Sequence, residues 1–170
     1  RTVPRLMLIL LRLQIHAGEI KKNKPDKPDG IMNRAQQQHG DPHPAIRDKV
    51  KAHMDPVVQD FIRNAPFVVM ATSDAAGNCD ASPKGGKPGF VKILDEKTLL
   101  LPDIAGNKLF QSYENIETNP RAGLVFMIPG CGLTVRVNGR VRVLDQEQLR
   151  LAGVSGEIFD PDERAVTLQD

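Results

Sequence analysis

From Phe67 to Leu144 short apolar stretches alternate with turn signals, and one helical stretch interrupts them. Phe67-Val68-Val69-Met70-Ala71-Thr72 has the β-branched and aromatic composition of a strand. Asp74-Ala75-Ala76-Gly77-Asn78 reads as a turn, and Cys79 to Ser82 starts a second strand. Gly89–Leu94 and Thr98–Leu101 read as two more, joined by Asp95-Glu96-Lys97, and Ala122–Ile128 is apolar enough to predict burial on both faces. Leu133–Leu144 reads as a hairpin around Asn138-Gly139. A three-residue loop with Gly139 as a left-handed bulge sorts Val135 against Val141 and gathers Arg136, Arg140 and Arg142 on the other side. Parallel βαβ repeats are absent from this pattern. The prediction is a mainly β fold: an antiparallel Greek-key β-barrel with flanking helices.

The rest of the chain divides around that unit. Asp55-Pro56 is a helix start, with an N-cap followed by proline; Val57, Val58, Phe61 and Ile62 recur at helical spacing, and Asn64-Ala65-Pro66 stops the helix. Pro44 to Met54 reads as a short helix before it. Leu6–Leu11 is apolar but flanked by Arg5 and Arg12, too short to span a bilayer and without a cleavage site. Lys21–Pro44 is rich in Lys, Pro, Gln and Gly, and reads as a disordered linker. Met32 makes a sensible native start, so the N-terminal run is expected to add nothing to the fold. The predicted division is a disordered or foreign segment over 1–44, the barrel over 45–148, and a truncated C-terminal extension over 149–170.

A net charge of +2 and the absence of tryptophan or a basic run argue against nucleic acid. Two cysteines, Cys79 and Cys131, match no zinc or redox spacing; buried free thiols in a reducing cytoplasm are the simpler expectation. His39 and His43 sit four apart, but Asp41-Pro42 spoils a helix between them, so no metal is predicted.

Two loops carry phosphate chemistry. Asp80-Ala81-Ser82-Pro83-Lys84-Gly85-Gly86 and Pro102-Asp103-Ile104-Ala105-Gly106-Asn107-Lys108 each combine glycine, a small polar side chain and lysine. Bare backbone, N–H and hydroxyl donors and a cation are what a phosphate needs. Neither loop is a P-loop or a dinucleotide fingerprint. The second runs into a helix predicted over Asn107–Thr118, with Asn107 as its N-cap, Lys108 in its first turn, and Ser112 and Asn115 on one face.

In order along the chain stand His53-Met54-Asp55, Phe61-Ile62, Pro66-Phe67, Ala71-Thr72-Ser73-Asp74, Asp80-Ala81-Ser82-Pro83-Lys84-Gly85 and Pro88-Gly89-Phe90-Val91. Leu100-Leu101-Pro102-Asp103, Gly106-Asn107, Ser112-Tyr113-Glu114-Asn115-Ile116, Asn119-Pro120 and Arg136-Val137-Asn138-Gly139 follow. This ordered set, over roughly Val50–Leu144, resembles the pyridoxamine 5'-phosphate oxidase-like superfamily of FMN-binding split barrels. The resemblance implies a homodimer with one FMN in each of two grooves between subunits. It implies Ser82, Lys84, Asn107, Lys108 and Ser112 at the phosphate end, Phe90 and Val91 along the flavin by backbone contacts, and Thr134 and Arg136 reaching the partner's cofactor.

Three departures stand out. Lys84-Gly85-Gly86 replaces the branch's Arg-Gly-Asp, keeping charge but losing the bidentate fork. Cys131-Gly132-Leu133 lacks the acidic residue that often precedes this strand. The chain stops at Asp170, where relatives continue with a strand and a helix, so an incomplete barrel is expected. Asp145–Asp170 also lacks the Tyr-Phe-x-x-Arg-Pro-type substrate segment of true pyridoxamine phosphate oxidases, which argues against vitamin B6 oxidation. The resemblance implies an FMN-dependent oxidoreductase of a small substrate, with no catalytic residue identified. The alternatives are a non-enzymatic flavin-binding or sensing module of the same fold, or a barrel that uses deazaflavin or haem.

Overall fold

The computed structural model describes residues 7–13, 34–40, 43, 50–103, 110–145 and 148. Helices α1 (Arg34–His39), α2 (Pro56–Asn64) and α3 (Gln111–Thr118) accompany seven strands. The strands are β1 (Met7–Leu13), β2 (Phe67–Ser73), β3 (Cys79–Gly85), β4 (Lys92–Asp95), β5 (Thr98–Asp103), β6 (Arg121–Met127) and β7 (Thr134–Leu144). They form one sheet in the order β3-β2-β6-β7-β1-β5-β4, and every pairing is antiparallel.

The sheet is rolled, and chain length shows why. Laid flat, six strand spacings would hold β3 and β4 about 29 Å apart. The seven residue steps from Gly85 to Lys92 reach at most about 25 Å when fully extended. They are not extended: Gly89 has φ 85° and the Phe90 N–H bonds the Lys87 carbonyl at 3.0 Å. Helix α2 bridges the same gap. Met54, just before it, donates its N–H to the Glu96 carbonyl in the β4–β5 turn, and β2 starts three residues after it ends. Rolling puts Val68 and Met70 of β2, Leu99 and Leu101 of β5, Leu124 and Phe126 of β6, and Val137 and Val141 of β7 into one core.

Helix α2 forms as its sequence dictates. The Asp55 carboxylate accepts the Val58 N–H at 2.9 Å, and Pro56 opens the first turn. Ile62 is fully buried and Val58 and Phe61 pack beside it, whereas Val57 faces solvent. The short helix expected over 44–54 does not include Val50–Met54, which are not helical; 44–49 lie outside the described residues.

The structure corrects the sequence at four further points. Met7–Leu13, expected to lie outside the fold, is β1 and pairs with β7 along one edge and β5 along the other. Within the expected linker, Arg34–His39 is helical. The hairpin does not turn at Asn138-Gly139; both lie inside the continuous strand β7. The turn falls at Ile128–Leu133, where Gly130 takes φ 80° and the Cys131 N–H bonds the Ile128 carbonyl at 3.0 Å. Asn138 fits mid-strand because its register partner is Gly123: a Cβ there would stand 2.9 Å from Asn138 Oδ1. Finally, β6 is buried on one face only, since Gly123, Val125 and Met127 remain half exposed.

Candidate functional site

Register sorts the predicted site residues between the two faces of the sheet. Directly opposed residues share a face. Asp80, Ser82 and Lys84 of β3 oppose the buried Thr72, Met70 and Val68 of β2, and so lie on the inner face. Ala81 and Pro83 oppose Ala71 and Val69 on the outer face. Across β6, Arg136 continues the row of Val125 and Val69, and Thr134 that of Met127 and Phe67. Thr134 and Arg136 therefore stand on the face opposite to Ser82 and Lys84. One copy of the chain does not bring the two sets together.

Helix α3 lies against β2, β3 and β7. Ser112 Oγ donates to Asp80 Oδ2 at 2.7 Å, Asn115 Nδ2 to Thr72 Oγ1 at 3.0 Å, and Asn119 Nδ2 to Ser73 Oγ at 3.1 Å. The first two bonds seat the helix over the inner face at the Thr72–Asp80 end of β2 and β3. They also commit Ser112. Its hydroxyl has one proton, and that proton goes to a carboxylate, so in this arrangement Ser112 offers a phosphate no donor. Ser82 and Lys84 bring to the first loop a hydroxyl and a cation, group types that suit an anion. Both are half exposed on an edge strand.

The second loop fares differently. Asn107 and Lys108 lie outside the described residues. The helix cap, expected at Asn107, is at Phe110, whose φ 50° and ψ 13° are left-handed; no side chain caps the helix. A left-handed residue cannot belong to the helix it precedes. Phe110 also meets the Tyr113 ring edge-on at 5.7 Å. Phe90 and Val91 sit in the link between β3 and β4 with buried side chains, packed into the core. The Phe90 ring lies over Gly86, where an added Cβ would come within 2.8 Å of Phe90 Cβ.

A groove of about 680 Å³ opens at the end of β2, β3, β6 and β7 where Thr72 and Asp80 of the inner face meet Ala71 and Ala81 of the outer. Ala71, Ala81 and Gly123 lower its floor, and Cys79, Arg121 and Asn138 stand around it. None of the predicted site residues among the described residues lines it. Arg136, Arg140 and Arg142 do share one exposed face, as expected, but through alternation along one strand rather than pairing across a hairpin. Arg121 stands opposite Arg140 in register. Both cysteines, expected to be buried, are exposed free thiols.

Two carboxylates titrate below their ordinary value. Asp55 is lowered by hydrogen bonds from Lys51 and then from the Val58 N–H; Asp74 is lowered by bonds from the side chain and N–H of Asn78. Asp55 caps α2, whereas Asp74 closes the turn between β2 and β3, where the Ala75 N–H also bonds Thr118 Oγ1 at the end of α3. Among the described residues no group of three His, Cys, Asp or Glu could hold a metal ion, and no helix is long and apolar enough to cross a membrane.

What the sequence reasoning missed is Asp80 as the partner of Ser112. The two are separated by 32 positions, and only the fold joins them. The one local sign is the Asp-x-Ser spacing of the first loop, which puts Asp80 and Ser82 on one face of a strand.

Known proteins share parts of this chain. A crystal structure of a tagged, single-residue variant of HupZ from Group A Streptococcus aligns with 54% of this chain and 98% of that chain, at 18% identity and a TM-score of 0.35. No curated protein matches. The family model for pyridoxamine 5'-phosphate oxidase matches residues 54–162, more than half of the chain. The chain belongs to the pyridoxamine 5'-phosphate oxidase-like family, and its rolled antiparallel sheet is that family's split barrel.

Proposed function

We propose that the protein binds FMN and acts as a homodimeric oxidoreductase on a small substrate. The observation that carries this reading is the placing of Ser82 and Lys84 on the inner face of the edge strand β3, beside α3, in a chain of this family. The residues present fit a phosphorylated cofactor. An edge strand has backbone N–H groups free of any ladder, Lys84 supplies a cation, and the Ser82 hydroxyl can donate. The sequence offers Asn107 and Lys108 of the second loop as further candidates. Phe90 and Val91 have their side chains in the core, which leaves their backbone as the part able to lie along the ring.

FMN, when bound, supplies the redox chemistry; the chain orients it and sets the field around its ring. Lys84 holds the phosphate as a point charge, and Asp80, tied to Ser112, keeps α3 in place beside it. The second wall comes from another copy. Thr134 and Arg136 stand on the outer face, so they reach a cofactor only if that face meets a partner's inner edge. The outer face suits an interface: Val69, Val125 and Met127 are half exposed, Ala71 and Ala81 are exposed, and Arg136 and Arg140 stand exposed on the same face. A cytoplasmic location accords with two free thiols.

The test is direct. Purified without added cofactor, the full chain should show the visible bands of a flavin or take up FMN at micromolar concentration, and light scattering should give a dimer. A folded protein with neither flavin bands nor FMN binding would overturn the proposal; deazaflavin or haem would show in the same spectrum. Turnover of a reduced nicotinamide with an acceptor separates an oxidoreductase from a module that only holds flavin.

A further inference from the structure

We propose that the slot between β5 and β7 is a strand-acceptor site whose occupant, Met7–Leu13, exchanges between copies of this chain. Strand β1 is unlike the others in how it is held. Each neighbour in the pairs β2–β3, β4–β5 and β6–β7 is tied to its partner by a short connection. β1 pairs with two strands, neither adjacent to it in sequence. Met7–Arg12 pairs with Thr98–Asp103, and Leu8–Leu13 with Gly139–Leu144. No tight turn enforces its origin from the same chain.

Length permits the second source. Twenty residues separate Leu13 from Arg34. A stretch of that length reaches about 70 Å when fully extended, far enough for a neighbouring copy. The slot itself needs filling. Leu99, Leu100 and Leu101 of β5 are all fully buried, so this strand is covered on both faces. With the slot empty, β5 and β7 would each present a run of unpaired backbone groups beside apolar side chains, the situation that recruits another strand. The ladder is identical whether β1 comes from the same chain or another. The balance between the two then depends only on the effective concentration set by the linker against the concentration of protein. The inference does not rest on flavin binding.

Crosslinking in the full chain tests it. In a background of Cys79→Ser and Cys131→Ser, one copy carries Ile9→Cys and a second copy of different size carries Val143→Cys, since Ile9 and Val143 are register partners. The two are mixed, concentrated and treated with a mild oxidant. A mixed-size covalent dimer should form, rise with protein concentration, and exceed several-fold the yield from Ile9→Cys with Arg140→Cys. Arg140 is exposed but out of register with Ile9, so that pair measures random collision. A chain with both Ile9→Cys and Val143→Cys should crosslink internally when dilute. Two results overturn the proposal: internal crosslinking with no mixed dimer above the collision pair, or no crosslinking in either form.

Discussion

Ser112 on α3 gives its one hydroxyl proton to Asp80 on β3, across 2.7 Å, and Ser112 is almost fully buried. That single bond decides the role of a residue which the sequence offered as a phosphate ligand. A donor already engaged by a half-buried carboxylate holds a helix in place.

Ser112→Ala should therefore cost stability rather than cofactor specificity. Removing a hydrogen bond to a charged group costs about 1.5–3 kcal/mol. The loss should appear in urea unfolding, with FMN and riboflavin affinities falling by the same factor. A selective loss of FMN would return Ser112 to the phosphate.

Lys84→Ala should do the reverse. A charge-assisted bond to phosphate is worth about 1.5–3 kcal/mol, so FMN should weaken at least about tenfold. Riboflavin, which has no phosphate, should bind nearly as before. Titration by flavin fluorescence reads both; equal losses would make Lys84 a solvated surface lysine.

Gly86→Ala should destabilise by about 1–3 kcal/mol, because the new methyl would meet Phe90 at its Cβ and Cγ, which are anchored in the core. Gly123→Ala should cost much less. There the methyl meets only Asn138 Oδ1, the end of an exposed side chain that can rotate away. Thermal melts of the two variants should differ in that order.

Acid should loosen α2 through Asp55. Its folded pKa lies below the ordinary 3.8, so its contribution is full above 3.8 and is lost as pH falls through the depressed folded value. Asp55→Asn keeps a capping oxygen and should flatten stability across that acid window. Asp55→Ala should lower the melting temperature at neutral pH as well. Circular dichroism between pH 5 and pH 2 follows both (roughly the range over which a lowered carboxylate titrates).

Deleting residues 1–31 removes β1 and both of its ladders, so the melting temperature should fall further than in any of the point variants. An unchanged melt would show that β5 and β7 need no strand between them.

Much of this was legible in the sequence, because local chemistry decides it. Asp55-Pro56 caps a helix wherever it stands, and the alternation of Val135, Val141 and Val143 with Arg136, Arg140 and Arg142 assigns one face to the core and one to the surface. That alternation held even though its expected cause, a hairpin, was wrong. Period two survives whether the chain turns at Asn138-Gly139 or runs straight through it.

Only the tertiary structure decided the rest, because non-local neighbours set it. Asn138-Gly139 is a strong turn signal, but Gly123 across the ladder makes room for it inside a strand, and Gly130 takes the turn instead. Met7–Leu13 carries no local mark of belonging to a sheet whose other strands begin more than fifty residues later; the slot between β5 and β7 gives it partners. The split of Ser82 and Lys84 from Thr134 and Arg136 follows from register across four strands, which no local stretch of sequence encodes. Capping and alternation act over a few residues and can be read along the chain, whereas strand pairing couples residues far apart and exists only once the sheet has rolled.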